Sequence, residues 1–318
     1  AVLLYGTERL GKAVRSPAKD TLLSHASTRT GSGSAFGVHQ AMDQFGAMAG
    51  PLLLAAILAQ RDGDYRLAFG VLIVPGVLVL AVLAWLRLRV PDPLAYETRP
   101  NKTEPNETEP NDSPPQPDAV SPPDERTPAR TTRPVMPRQL WEYVTAIAML
   151  SCGVASFPLL AFHAQTTGLL SAAQVPVLFA VAMFVDGLTG PIVGRLYDRH
   201  GAQVMLVVPF AAAGASVAFT DQAWLVWTGV AIWGVVNGVL DSTVKAVVTQ
   251  LVGPEARAVA FGWLALSRGI GLLIAGGILG VAYDHDINLV IVLLVLANAV
   301  ALLGLRRVVG SATHPAPD

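Results

Sequence analysis

The chain has 318 residues; 52% are hydrophobic, only 14% are charged, the net charge is −1 and the mean hydropathy is +0.49. Soluble domains carry about 25% charged residues, so this composition excludes an ordinary soluble enzyme, and the missing basic footprint excludes a nucleic-acid binder. A single cysteine, Cys152, excludes a disulfide framework and a multi-thiolate metal site.

From Ala1 the chain is already inside an apolar helical pattern, so residues 1–26 read as the end of a spanning helix whose first part is missing, with a basic soluble tail as the alternative. Crossing ~30 Å of hydrocarbon at ~1.5 Å per residue takes ~20 mostly apolar residues. Segments 35–59, 66–88, 140–162, 173–196, 203–220, 223–250, 257–282 and 288–305 meet that length, giving about eight full spans. Continuous apolar runs predict helices rather than barrel strands, whose hydrophobicity alternates over ~10 residues.

Charges in the short loops predict an orientation. Arg87 and Arg89, Arg195 and Arg199, Arg257, and Arg306 and Arg307 fall on one side of an alternating chain, whereas the loops near 163–172, 220–222 and 283–287 hold no Lys or Arg; Arg61 and Arg66 are the exceptions. The basic side is expected to be cytoplasmic, with segment 91–137 and the C-terminus on it. That segment holds 9 of the 23 acidic residues and 13 of the 23 prolines, a composition that cannot bury a core and is expected to be disordered. Asn101, Asn106 and Asn111 each begin an N-x-[ST] sequon; glycosylation there requires the opposite orientation.

A weak internal repeat runs at an offset of 225. Ala35-Phe36-Gly37 with Gly46 recurs as Ala260-Phe261-Gly262 with Gly271, and Leu22 and Leu23 align with Val247 and Val248. Two parallel repeats around a long linker are a transporter arrangement.

Two motifs sharpen this reading. Gly194-Arg195-Leu196-Tyr197-Asp198-Arg199-His200-Gly201 is similar to the G-x-L-x-D-R-x-G loop of the major facilitator superfamily, with Ala202-Gln203 where the family has a basic pair. Gly37, Gly46 and Gly50-Pro51 are similar to the helix 5 motif of its antiporters, with Leu54-Ala55 in place of the closing glycine pair. The stretch Glu8-Arg9-Leu10-Gly11-Lys12 through Arg15-Ser16-Pro17-Ala18-Lys19-Asp20 resembles helix 4 of that superfamily's bacterial permeases of unassigned substrate. The resemblance implies an all-α membrane protein of two helix bundles that lacks the first three helices. Residues 1–90 would hold the end of the fourth helix and the fifth and sixth, 91–137 the linker, 138–308 a six-helix C-terminal bundle and 309–318 a tail. It also implies that Asp198 and Arg199 form a charge relay at a cytoplasmic gate.

Ionisable residues inside spans are expensive and are candidates for function. Asp43 lies near mid-span, and its repeat equivalent is Arg268; Asp20 likewise corresponds to Lys245. Pseudo-symmetry predicts these opposite charges on either side of one cavity, serving proton exchange and anion binding or else forming a static ion pair. Asp20 and Lys245, nearer the cytoplasmic end, fit the static role better. Glu8, Lys12, Arg15 and Lys19 form an ionic face, answered by Asn237, Asp241 and Lys245 at spacings of four; an interfacial amphipathic segment is the alternative. Asp186, eight residues before Gly194, is expected to gate or to cap the loop. His39, one turn before Asp43, is a candidate proton partner. Gly46, Gly50 and Gly276 are expected to let helices approach closely, and Pro51 to kink its helix. His285, between Asp284 and Asp286, reads as an exposed loop residue rather than a metal ligand.

No nucleophile triad, phosphate loop or Cys/His cluster is present, so no enzyme activity, metal or cofactor is expected. The expected function is secondary transport of a small solute by alternating access, as proton-coupled efflux from a multi-pass monomer in the cell membrane. Asp43 would be the proton carrier, with Arg268, His39 and Lys245 as modulators. The alternatives are an uptake permease for a small, anionic metabolite, and a non-transporting scaffold that binds partners through 91–137.

Overall fold

A computed structural model describes residues 11, 15–25, 27, 31–60, 70–89, 136–171 and 174–312. The linker up to residue 135 with its sequons, Glu8, Lys12, Arg61, Arg66 and the tail from 313 lie outside the described residues. Among the described residues the chain is helical, without strands. The elements are α1 (15–25), α2 (Ser32–Gln60), α3 (Ile73–Arg89), α4 (Arg138–Cys152), α5 (Phe157–Thr166), α6 (Gln174–His200), α7 (Val208–Gly214), α8 (Ala223–Leu251), α9 (Arg257–His285) and α10 (Ile287–Ala312).

Among the described residues, five stretches are long and apolar enough to cross a membrane: Arg138–Thr166, Gln174–Phe219, Ala223–Leu251, Pro254–His285 and Ile287–Val309. The second, at 46 residues, far exceeds the ~20 that one crossing needs. Gly201 divides it, with φ at 66° after His200. The G-x-L-x-D-R-x-G segment is therefore helical up to His200 rather than a loop. Beyond it, 203–220 is a short α-helix flanked by 3₁₀ turns, Gly201–Val207 and Ala215–Phe219.

The first stretch is interrupted between α4 and α5, which frees backbone carbonyls that hydrocarbon cannot satisfy. Side chains of other helices take over. Buried Asn298 of α10 donates through Nδ2 to Gly153 O at 2.8 Å, and Trp233 of α8 donates through Nε1 to Ala155 O at 2.7 Å. The interruption is thus part of the packing. Above and below it the core forms two layers, one around Tyr143, Ile147, Val244 and Leu305, the other around Leu160, Leu178, Val226 and Leu294.

Outside these layers apolar side chains face outward. Helix α3 buries none of its described residues, and Leu88 is 84% exposed. A contiguous apolar surface on this scale is untenable in water and is the ordinary state of a helix against lipid.

Helix α2 crosses α6 closely. A Cβ on Gly37 would overlap the Gly190 carbonyl, and one on Gly194 the Gly33 carbonyl. At Gly46, Gly50 and Gly276 an added Cβ would meet nothing within 4 Å among the described residues, so the described helices make no close approach there. At 3.6 residues per turn, the nine residues from Gly37 to Gly46 make about 2.5 turns, so Gly46 lies on the opposite face. Gly33 and Gly37 share one face, as do Gly190 and Gly194, and those pairs make the contact. Pro51 is inside α2.

Candidate functional site

The repeat register reappears as contact. Phe36 and Phe261, 225 residues apart, meet edge to face with centroids 6.1 Å apart. Asp20 and Lys245, again 225 apart, form an ion pair at 3.2 Å. A residue touches its own repeat equivalent only near the axis relating the two copies, so these pairs mark that axis.

Beside them α1, α2, α6, α8 and α9 line a cleft of ≈ 690 Å³. Seven of the charged residues singled out in the sequence line it, namely Arg15, Lys19, Asp20, Asp43, Asp241, Lys245 and Arg268. Asp43 and Arg268 both line the cleft but do not pair with each other. Arg268 donates through Nη1 to Asp241 Oδ1 at 2.7 Å, and Lys19 of α1 donates to Asp43 Oδ2 at 3.3 Å. Each half thus neutralises its own charge, with signs exchanged: Lys19 with Asp43 in one, Asp241 with Arg268 in the other. His39 Nε2 stands 3.5 Å from Asp43 Oδ2.

Burial ranks the pairs. The Asp20 and Lys245 side chains are only 8% and 16% exposed, whereas Asp43 is 55% exposed. A solvated ion pair contributes about 0–1 kcal/mol, so Lys19 can leave Asp43 at little cost. The Asp20–Lys245 pair cannot open without stranding a buried charge. The cleft therefore has a firm tie at its axis and a loose one at Asp43.

Three other candidates stand away from the lining. Asn237 donates to Trp233 O of its own helix at 2.9 Å, and so adds nothing to the polar face of α8. His39 reaches the cleft only through Asp43. Asp186, 1% exposed, accepts a hydrogen bond from Gln40 Nε2 at 3.0 Å. Gln40 was not legible as a site residue because an uncharged amide in an apolar run gives no signal. It lines the cleft and also lies 3.4 Å from Asp241 Oδ2.

Asp198 binds the start of α2. Its carboxylate accepts from Gly33 N at 2.9 Å, Ser34 N at 2.8 Å and Ser34 Oγ at 2.5 Å. It caps the N-terminus of α2, where free N–H groups and the helix dipole favour an anion. The signal was present in Gly31-Ser32-Gly33-Ser34, a helix-start composition, but the partner 164 residues away was not. Arg195 bonds back to Pro191 O at 3.3 Å, and Arg199 is exposed. Asp198→Ala is expected to lower stability by about 1–2 kcal/mol, the scale of a lost N-cap, read by unfolding in mixed detergent micelles; an unchanged midpoint would show that the cap contributes nothing.

Comparison with known proteins fits this geometry. The sequence profile described as Major Facilitator Superfamily matches residues 8–276 and also 144–315. The uncharacterised protein Rv2265 of Mycobacterium tuberculosis is 40% identical over 304 residues, 95% of this chain and 69% of its own length. Mouse solute carrier family 22 member 18 is 32% identical over 184 residues, 53% of this chain and 43% of its own. The class B tetracycline resistance protein of Escherichia coli is 29% identical over 107 residues, 33% of this chain and 26% of its own. The profile spans most of the chain, and with it the helices that form the cleft: the chain belongs to the major facilitator superfamily.

Proposed function

We propose that this protein moves a small solute across the cell membrane by alternating access, with efflux of the solute coupled to proton entry through the charged cleft. The observation that carries the reading is the gathering of acidic and basic side chains from four helices into one cleft at the repeat axis. Intramembrane charge on this scale is costly and is retained at substrate and proton pathways. Two bundles, one on each side of a cytoplasmic linker, would rock about the axis marked by Phe36–Phe261 and Asp20–Lys245. Asp43 is the exposed carboxylate that exchanges protons with the cleft, with His39 and Lys19 beside it, and Arg268 and Lys245 set the field around it. The resistance proteins among the relatives make tetracycline a first probe.

In inside-out vesicles carrying the protein, an acidic lumen should drive tetracycline inward, and Asp43→Asn should reduce that flux at least about tenfold, as loss of a proton-transfer group does. Flux of wild-type size with the same pH dependence in Asp43→Asn would remove Asp43 from the mechanism.

A second reading, uptake of a small anionic metabolite, is favoured by one feature. Four cationic side chains (Arg15, Lys19, Lys245, Arg268) line the cleft against three acidic ones (Asp20, Asp43, Asp241). Counterflow of labelled organic anions in vesicles of defined orientation separates it from efflux.

A further inference from the structure

Asp186 and Gln40 have no part in the mechanism above. Asp186 is on α6, its residue is 1% exposed, and no Lys, Arg or His among the described residues forms an ion pair with it. Its hydrogen bond comes from a neutral amide, Gln40 Nε2, at 3.0 Å. An ionised carboxylate in hydrocarbon surroundings needs a cation or several donors; one amide N–H supplies neither. The same nitrogen lies 3.4 Å from Asp241 Oδ2, and the other oxygen of Asp241 takes the Arg268 guanidinium at 2.7 Å. One amide, on α2, is thus shared between a buried carboxylate with no counter-ion and a carboxylate already held by one.

The charged and titratable groups around Asp186 come from three elements. On α2 these are His39 beside Gln40 and Asp43 three residues on; on α8 there is Asp241; on α9 there is Arg268, reached through Asp241. A second carboxylate close by opposes a second negative charge, while Arg268 is already engaged by Asp241.

We propose that Asp186 is a buried protonation site and that Gln40 passes its state to the Asp241–Arg268 pair in the cleft. With Asp186 ionised, the two amide hydrogens of Gln40 are divided between the carboxylates. With Asp186 protonated, its new O–H needs an acceptor, and rotation of the same amide presents Oε1 to it. That rotation withdraws a donor from Asp241, whose hold on Arg268 tightens. The proton is taken up and returned at one carboxyl oxygen, and no covalent bond other than O–H is made or broken. Because Gln40 belongs to α2 and both carboxylates belong to α6 and α8, the rotation alters a contact between the two repeats. This inference rests on the proton-coupled reading for its purpose in transport but not for its test.

Infrared difference spectra of the purified chain, recorded between alkaline and mildly acidic buffer without any solute, read the carboxylic C=O stretch directly. Wild type should show the band of a buried carboxylic acid, Asp43→Asn should keep it and Asp186→Asn should lose it. Gln40→Leu, which leaves Asp186 in place, should shift the band, because the carboxylic O–H then lacks its amide acceptor. The absence of a wild-type band, its survival in Asp186→Asn, or an unmoved band in Gln40→Leu would each overturn the proposal; the Gln40→Leu result decides it if Asp186→Asn fails to fold. Vesicles without proton-coupled flux but with this pattern of bands would overturn the transport reading and leave the protonation site standing.

Discussion

Replacing Lys245 with Met should lower the unfolding free energy by about 3–5 kcal/mol, the cost of breaking a buried ion pair from one side. Its Nζ lies 3.2 Å from Asp20 Oδ1 and 6.0 Å from the centre of the Phe36 ring. Removing the ammonium leaves the Asp20 carboxylate 8% exposed and without its counter-ion. Removing both charges, as Asp20→Leu with Lys245→Met, should recover a large part of the loss, because neither charge then has to be desolvated. The cycle of two single variants and the double, followed by denaturant unfolding in mixed micelles, isolates the coupling. Strict additivity would mean that the pair does not tie α1 to α8. The variants also separate tie from pathway: if the double variant is stable and still transports, the pair serves the fold alone.

Gly37→Ala should destabilise the protein by about 2–3 kcal/mol, near the upper end for overpacking, whereas Gly46→Ala should be neutral or stabilising by up to about 1 kcal/mol. The substitution is the same and so is the helix, and both glycines belong to one sequence motif. The difference is the neighbour. The added methyl at position 37 meets the backbone carbonyl of Gly190, which cannot move aside as a flexible side chain would, and at position 46 it meets nothing among the described residues. Thermal unfolding of the two variants in one detergent gives the comparison. Equal midpoints would show that α2 and α6 do not need this close approach. Gly190→Ala is the reciprocal check, since a methyl there meets Gly37 O and the Gln40 side chain; the latter contact would also disturb the amide that joins Asp186 to Asp241.

Charge scarcity did most to make the candidate site legible. In a chain only 14% charged, each carboxylate or cation within an apolar run stands out, and Asp20, Asp43, Asp241, Lys245 and Arg268 all prove to line one cleft. The offset of 225 predicted which charges are equivalent, and Asp20 meets Lys245 as that register requires. It could not predict which charges pair. Asp43 and Arg268 are equivalent yet bond to Lys19 and Asp241, because pairing is decided by side-chain reach across neighbouring helices and not by symmetry.

Polar but uncharged and conformational features were less legible. Gln40 has the composition of an ordinary interior residue until α6 and α8 bring two carboxylates to it. The role of Asp198 depends on the start of α2, far away in sequence, and the packing glycines depend on which helix faces which. Apolar run length and charge content by themselves determined that this protein is a bundle of membrane-crossing helices, because hydrocarbon admits few other ways to satisfy a backbone. Tertiary structure alone decided which charges neutralise one another, which glycines touch and which carboxylate is left buried without a cation, because each of these is a distance of a few ångströms between residues that the chain keeps far apart.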